Sequence, residues 1–217
     1  MSNLVEIKEL GKCYGKKKVM NNLSLSLESG RIVGILGPNG SGKSTLVNLI
    51  PRFYDVTKGR ILVDGVDVRD MTQKDVRSRL GYVPQKGILF SGTIDSNIRY
   101  GKTDISVEEV KEAAEVAQAT EFIDAKPETY DSPISQGGTN VSGGQKQRLS
   151  IARAIAKKPE IFIFDDSFSA LDFKTDSTLR KALKAHTKDA TTIIVAQRIS
   201  TILNADKIIV LDDGHMQ

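Results

Sequence analysis

Nine consecutive residues, Gly37-Pro38-Asn39-Gly40-Ser41-Gly42-Lys43-Ser44-Thr45, fit the pattern G-x-x-x-x-G-K-[ST], whose chemistry is the cradling of a phosphate chain. Glycines let successive backbone N–H groups converge on phosphate oxygens, and the positive end of a helix dipole adds to the pull on an anion. Lys43 is placed to reach the β- and γ-phosphates, and the Ser44 hydroxyl to ligate Mg²⁺. A flexible glycine turn is the bland alternative. With glycine at about 7% of average composition, a chance match in a chain of this size is roughly a one-in-a-hundred event. A further candidate is the carboxylate that ends the apolar run Ile161-Phe162-Ile163-Phe164-Asp165. Alone, such an aspartate is more often a helix cap or turn residue. Beside the loop at 37–45 it can share the hydrated Mg²⁺ of Ser44, because this hard cation takes oxygen ligands and keeps most of its waters.

The elements that must position these residues are legible around them. Arg31-Ile32-Val33-Gly34-Ile35-Leu36 reads as a strand, and Leu46, Leu49, Ile50 and Phe53 fall on one face of a following helix. Strand, glycine loop and helix is the context the motif requires. Residues 4–10, 23–27 and 60–64 alternate apolar with polar, and Glu28-Ser29-Gly30 and Asp64-Gly65 are turn signals, so an antiparallel sheet is expected beside the phosphate-binding core. Ser106-Val107-Glu108-Glu109 is a capping box, followed at helical spacing by Val110, Ala114 and Ala117 together with Val107 itself. Residues 91–157 read as a mainly helical block. The runs Ile161–Phe164, Thr191–Val195 and Lys207–Leu211 each fit a buried parallel strand. The fold class is α/β.

Composition narrows the function classes. At 217 residues, 39% hydrophobic and 27% charged, the chain suits one compact soluble domain. No apolar run approaches a membrane span and no signal segment opens the chain. The single cysteine, Cys13, forms no internal disulfide and fits a reducing compartment. His186 and His215 lack metal-ligating neighbours in sequence. A net charge of +4 gives no basic stripe, so no nucleic-acid partner is expected, and Lys16-Lys17-Lys18 reads as a solvated loop.

The second specific motif is Val141-Ser142-Gly143-Gly144-Gln145-Lys146-Gln147-Arg148. Ser142 can cap a new helix, and two glycines let its N-terminus approach an anion. Here the chain resembles the nucleotide-binding domain of ATP-binding cassette (ABC) transporters, whose signature is Leu-Ser-Gly-Gly-Gln, with Val141 in place of leucine. The resemblance covers the whole chain. It implies a P-loop NTPase (RecA-like) core at 31–57, 71–90 and 158–217, an antiparallel β subdomain at 1–30 and 58–70, and an inserted α-helical subdomain at 91–157, all within one domain at 1–217. It also implies ATP and Mg²⁺ as ligands. Gly37, Asn39, Gly40, Ser41, Gly42, Lys43, Ser44 and Thr45 would bind ATP, with Tyr14 stacking on adenine. Ser44, Gln85 and Asp165 would surround Mg²⁺. Ser142, Gly143, Gly144 and Gln145 would face the ATP of a partner cassette, and Asp172, in Ser169-Ala170-Leu171-Asp172, would communicate across that dimer. Ile88-Leu89-Phe90-Ser91-Gly92-Thr93-Ile94 resembles a stretch typical of exporters, unless its apolar residues are simply core and turn.

Besides Val141, two positions and one short segment depart from the family pattern. Asp166 stands where a glutamate usually polarises the attacking water, which withdraws the carboxylate by roughly 1.5 Å. A misplacement of about 1 Å can cost on the order of a hundredfold in rate. Gln197 stands where a histidine usually contacts the γ-phosphate; it can donate a hydrogen bond but carries no positive charge. Ser135-Gln136-Gly137-Gly138 lacks the charge that exporters usually place before the signature. Lys43 and the loop amides remain, so the site is expected to bind ATP well and hydrolyse it slowly, as in the degenerate half of an asymmetric exporter. The expected partners are a second, non-identical cassette domain and a membrane domain, which puts the chain at the cytoplasmic face of the inner or plasma membrane. A slow homodimer, a regulatory ATP-binding module and a soluble ABC ATPase are the alternatives. The chain stops at a turn after a strand, where the family continues, so an excised domain is expected.

Overall fold

The computed structural model describes residues 3–102 and 104–217. The chain begins with β1 (Asn3–Tyr14), β2 (Lys17–Glu28), β3 (Ile32–Leu36), α1 (Lys43–Leu49), β4 (Lys58–Val63), β5 (Val66–Asp67) and α2 (Gln73–Ser78). Next come β6 (Leu80–Val83), β7 (Gly92–Thr93), α3 (Ile94–Ile98), α4 (Val107–Val116), α5 (Thr120–Asp124), β8 (Pro133–Ile134) and α6 (Gly143–Ala156). It ends with β9 (Ile161–Asp165), α7 (Phe173–His186), β10 (Thr191–Ala196), β11 (Lys207–Asp212) and β12 (His215–Met216). Among the described residues no helix is long and apolar enough to cross a membrane.

These elements divide into two compact units. The first holds the chain up to Leu80 together with Glu160–Asp166 and Lys188–Gln217. Its antiparallel sheet has the order β2-β1-β4-β5. Tyr14 pairs with Lys17 across a two-residue turn in which Gly15 takes φ 57. Its second sheet runs β12-β11-β3-β10-β9, with β3, β9, β10 and β11 parallel. The β-branched runs at 161–165 and 191–196 are buried almost throughout, as strands covered on both faces must be. β11 departs from that expectation: Ile208 and Val210 are exposed while Ile209 and Leu211 are buried, so this strand keeps one open face.

The second unit holds Gly81–Pro159 and Ser167–Thr187. Here α6 packs on α3 and α4, and α4 packs on α7. The helical unit takes in residues 81–90 and α7 as well as 91–157, because α7 lays Leu179 and Leu183 into its interior. The antiparallel and parallel sheets share the first unit because the turn between β11 and β12 joins them. Gly214 N–H donates to Ser41 O (3.1 Å), and Asn21 N–H donates to Gly214 O (3.2 Å).

Two helix faces also differ from their expected pattern. Leu46, Leu49 and Ile50 are buried, but Phe53 is exposed. Pro51 cannot continue the ladder, and Arg52 turns the chain away with φ 55. In α4 the capping box forms as expected, with Glu109 N donating to Ser106 Oγ (3.1 Å) and Ser106 N to Glu109 Oε2 (2.8 Å). Val107 is exposed there, however, and Ala113 joins Val110 and Ala114 in the buried stripe.

The turn at Gly214 has no room for a side chain: φ is +74, and an added Cβ would lie 2.2 Å from Val19 O. At Gly15, φ is +57 and nothing lies within 4 Å of the same atom. Gly15→Ala is expected to cost about 1 kcal/mol, the strain alone. Gly214→Ala should cost about 2 kcal/mol more, because backbone must move as well. Urea denaturation of the two variants measures the difference, and equal losses would show that the turn yields freely.

Candidate functional site

The parallel register sets three loops at one edge of the first unit's sheet. Ala196 lies opposite Leu36, and Val195 opposite Asp165. The glycine loop after Leu36, Asp166 after Asp165 and Gln197 after Ala196 therefore leave the sheet at the same level. Gly37 begins the loop with its backbone against the neighbouring strand; a Cβ there would lie 2.1 Å from Leu211 O. Gly40 and Gly42 take φ 83 and 101, and Gly42 delivers the chain into α1 at Lys43. The first turn of α1 has no side-chain cap and no acidic residue. Lys43, Ser44 and Thr45 thus head a helix whose leading amides are left to an external acceptor. The Ser41 amide is used within the loop, donating to Pro38 O (3.2 Å).

Lys43 is buried, with 7% of its surface exposed, and its ammonium donates to Gly37 O and to Pro38 O (2.7 Å). Burial draws its pKa below the usual lysine value, while Asp166 and Asp165 oppose that shift by attraction. Ser44 Oγ donates to Asp165 Oδ1 at 3.0 Å, and Asp165 is itself buried. Two oxygens in adjacent corners of an octahedron with bonds of 2.0–2.1 Å stand about 2.9–3.0 Å apart. The Ser44–Asp165 pair therefore fits Mg²⁺ with little movement, a hydroxyl and a carboxylate being the hard donors this ion takes. Bound there with a nucleotide, Mg²⁺ would neutralise charge on the β- and γ-phosphates.

Asp166 and Gln197, read in sequence as separate departures, form one interaction. Gln197 Nε2 donates to Asp166 Oδ2 at 2.9 Å. Asp166 adopts φ 48, with its N–H donating to Val195 O (3.1 Å), so its backbone is fixed by the neighbouring strand. Tyr14 sits at the end of β1, 40% exposed, with its ring perpendicular to that of Tyr54 at a centroid distance of 5.6 Å.

The remaining sequence-predicted residues lie in the second unit. Ser142 caps α6 through a complete capping box: Gln145 N donates to Ser142 Oγ (3.2 Å) and Ser142 N to Gln145 Oε1 (3.0 Å). A Cβ on Gly143 would meet open space, and one on Gly144 would lie 3.4 Å from Ala170 O. The signature turn thus rests against the segment that leads to Asp172. Asp172 caps α7, accepting from Thr175 N (2.9 Å), and hydrogen bonds from the Thr175 side chain and then its backbone hold the Asp172 carboxyl below the ordinary aspartate value. Gln85 is an exposed residue of the loop after β6. That loop is clamped by a residue the sequence did not single out. Gln147, buried on α6, accepts from Gly87 N (2.9 Å) and donates to Pro84 O (3.0 Å).

Arg153 was equally illegible. It donates to Ile88 O, Asn97 O and Asn97 Oδ1 at 2.8–2.9 Å, beneath the stacked rings of Phe90 and Tyr100. Burial lowers its pKa to about 10, so it remains charged at neutral pH. Within Ile88–Ile94, Leu89 and Ile94 are core and Gly92 opens β7 with φ 147, whereas Ile88 is exposed. Gln136, in the uncharged segment before the signature, accepts from Ser91 N (3.3 Å).

The depressed pKa of Lys43 has a pH signature. Between its folded value and 10.5 the unfolded chain holds the extra proton, so stability rises with pH across that window and the cost is carried in full below it. Lys43→Met should leave nucleotide-free stability at pH 7.5 unchanged or raise it by about 1 kcal/mol. It should also flatten the rise on the alkaline side, in the window that closes at 10.5. Urea unfolding over that range is the measurement, and a clear loss at pH 7.5 would mean that the loop carbonyls more than offset desolvation.

Comparison with known proteins agrees with this geometry. The sequence model of the family described as ABC transporter matches residues 20–169. Two relatives from Staphylococcus aureus, strains NCTC 8325 / PS 47 and COL, each carry the name "Putative multidrug export ATP-binding/permease protein". Each is 48% identical over 198 residues, covering 91% of this chain and 34% of the relative. The chain thus spans about a third of the length of these curated relatives. A solved structure of a bacterial Atm1-family ABC exporter with ATP bound is similar at TM-score 0.94 and 41% identity, covering 98% of this chain and 37% of that one. The phosphate loop, the Ser44–Asp165 pair, the capped signature helix and these matches together establish that the chain belongs to the ABC transporter family and has the ABC ATPase fold, a P-loop NTPase of mixed sheets and helices.

Proposed function

We propose that the chain is the ATP-binding and ATP-hydrolysing domain of an exporter, and that its own phosphate site turns over slowly. Lys43, Ser44 and Asp165 supply the ground-state contacts: a cation for the phosphates and two oxygens for Mg²⁺. Asp166 and Gln197 occupy the positions where water is activated and the γ-phosphate is contacted. The hydrogen bond between them, 2.9 Å from Gln197 Nε2 to Asp166 Oδ2, carries the reading of a slow site. A neutral amide donating to the carboxylate engages one of its oxygens, while offering no positive charge to the transition state. Binding is thereby kept and chemistry weakened.

Ser142–Gln145, with its open first turn at Gly143, would complete a site on a second cassette domain, one that carries glutamate and histidine at the two matching positions. The names of the relatives support a membrane domain as the other partner, with the cassette on the cytoplasmic face of the inner or plasma membrane. ATP and Mg²⁺ are the ligands. The same Asp166–Gln197 contact favours a second reading, a regulatory ATP-binding module with no useful hydrolysis.

The test compares phosphate release and bound nucleotide in the heteromeric complex with and without Asp166→Glu combined with Gln197→His. The double substitution should raise turnover at this site by about tenfold or more, with ATP affinity little changed. If the unaltered domain releases phosphate as fast as the altered one, the slow-site reading is wrong. Full occupancy with no release from the unaltered site in the working complex would favour the regulatory reading.

A further inference from the structure

Lys12 is a buried cation that neither the phosphate chemistry nor the sheet explains. Only 9% of its surface is exposed, although it lies on β1, where an apolar side chain would pack more readily. Its Nζ donates to Asp55 O (2.7 Å) and lies over two aromatic faces, 4.9 Å from the ring centre of Tyr14 and 5.7 Å from that of Tyr54. The two rings stand at 89° to each other, so the ammonium sits in the inner angle of an aromatic corner. The corner is firmly mounted. Thr57 N donates to Gly11 O (2.9 Å), Cys13 N donates to Thr57 Oγ1 (3.0 Å), and Arg52 holds Asp55 (2.8 Å) while reaching Val68, Arg69 and Met71 carbonyls. Tyr54 is therefore strapped to the strand that carries Tyr14, and both rings keep exposed surface, 40% for Tyr14 and 49% for Tyr54.

We propose that Lys12 and Tyr54 are positioning and specificity residues of a nucleobase platform, acting with Tyr14. This rests on the nucleotide-binding reading above and adds to it the residues that fix the ring. A cation held over the inner face of Tyr14 restricts a planar base to the outer face. It also draws electron density from the ring, which reduces the repulsion between two stacked π-faces. Tyr54 closes the side of the corner and prevents Tyr14 from rotating away. The ligand portion recognised is the base of a nucleotide, not its phosphates.

Calorimetry on the full chain, with Mg-ATP and with inorganic tripolyphosphate, separates the base from the phosphates. Lys12→Met keeps the length of the side chain and removes its charge. It should weaken Mg-ATP binding by about three- to tenfold and leave tripolyphosphate binding unchanged. Tyr54→Leu alters a half-exposed ring, so the fold should tolerate it, and it should give a selective loss of similar size. Equal losses for both ligands would reduce Lys12 and Tyr54 to supports of the fold, and no loss for either would remove them from the site. Both results overturn the proposal. If the unaltered chain binds tripolyphosphate as tightly as ATP, no base platform exists and the proposal fails while phosphate binding stands. If it binds neither, the nucleotide-binding reading itself falls.

Discussion

Everything at the phosphate site depends on the register of β10 between β3 and β9. Pairing Ala196 with Leu36 and Val195 with Asp165 brings a glycine loop, the Asp165 carboxylate and the Gln197 amide to one edge, although they come from positions 37, 165 and 197. Side chains in a strand alternate between faces, so a slip of one residue would turn Asp165 away from Ser44 and break the 3.0 Å contact. The burial of β9 and β10 is what forbids that slip. Ile161–Asp165 has no exposed residue, and any other register would carry polar groups into this interior.

The glycine loop is held from behind as well as from below. Gly37 passes so close to Leu211 O that no side chain fits, and Ser41 O accepts from Gly214 N, whose own carbonyl accepts from Asn21 N. One turn thus links the loop to the β1–β2 hairpin, and the hairpin carries Tyr14. The glycine loop and Tyr14 are then referred to the same frame. Such preorganisation matters because each mobile group at a binding site adds an ordering cost to association. Gly37 also leaves room for Leu211 O, a requirement that cannot be read from the motif.

What was legible in the sequence follows from the range of the interactions. The capping box at Ser106 and the helix cap at Ser142 are local and appear as expected, as do the hydrophobic runs of β9 and β10. The Ser44–Asp165 pair crosses 121 positions, yet the loop motif and the strand-ending aspartate each announced one half of it. Lys12 with Asp55, Gln147 with Pro84 and Gly87, and Arg153 with Ile88 and Asn97 had no such announcement. In each, a long polar side chain reaches backbone carbonyls or amides, and backbone groups leave no trace in residue type. The exposed face of β11 was hidden for another reason. Its residues are apolar on both faces, so period alone could not distinguish an open strand from a covered one.

The pairing of Asp166 with Gln197 shows why two departures from a family pattern need not be independent. With φ 48 and its N–H tied to Val195 O, the backbone of Asp166 is fixed, so the position of its carboxylate is set by side-chain length. A glutamate would carry that group roughly 1.5 Å further, beyond the place where Gln197 now donates at 2.9 Å. A histidine at 197 would present a ring nitrogen and a titratable proton in place of an amide. The short acid and the neutral amide are therefore matched to each other in reach and in hydrogen-bonding type. Residues in direct contact couple energetically, so a change at either position alone leaves the other without the partner it fits.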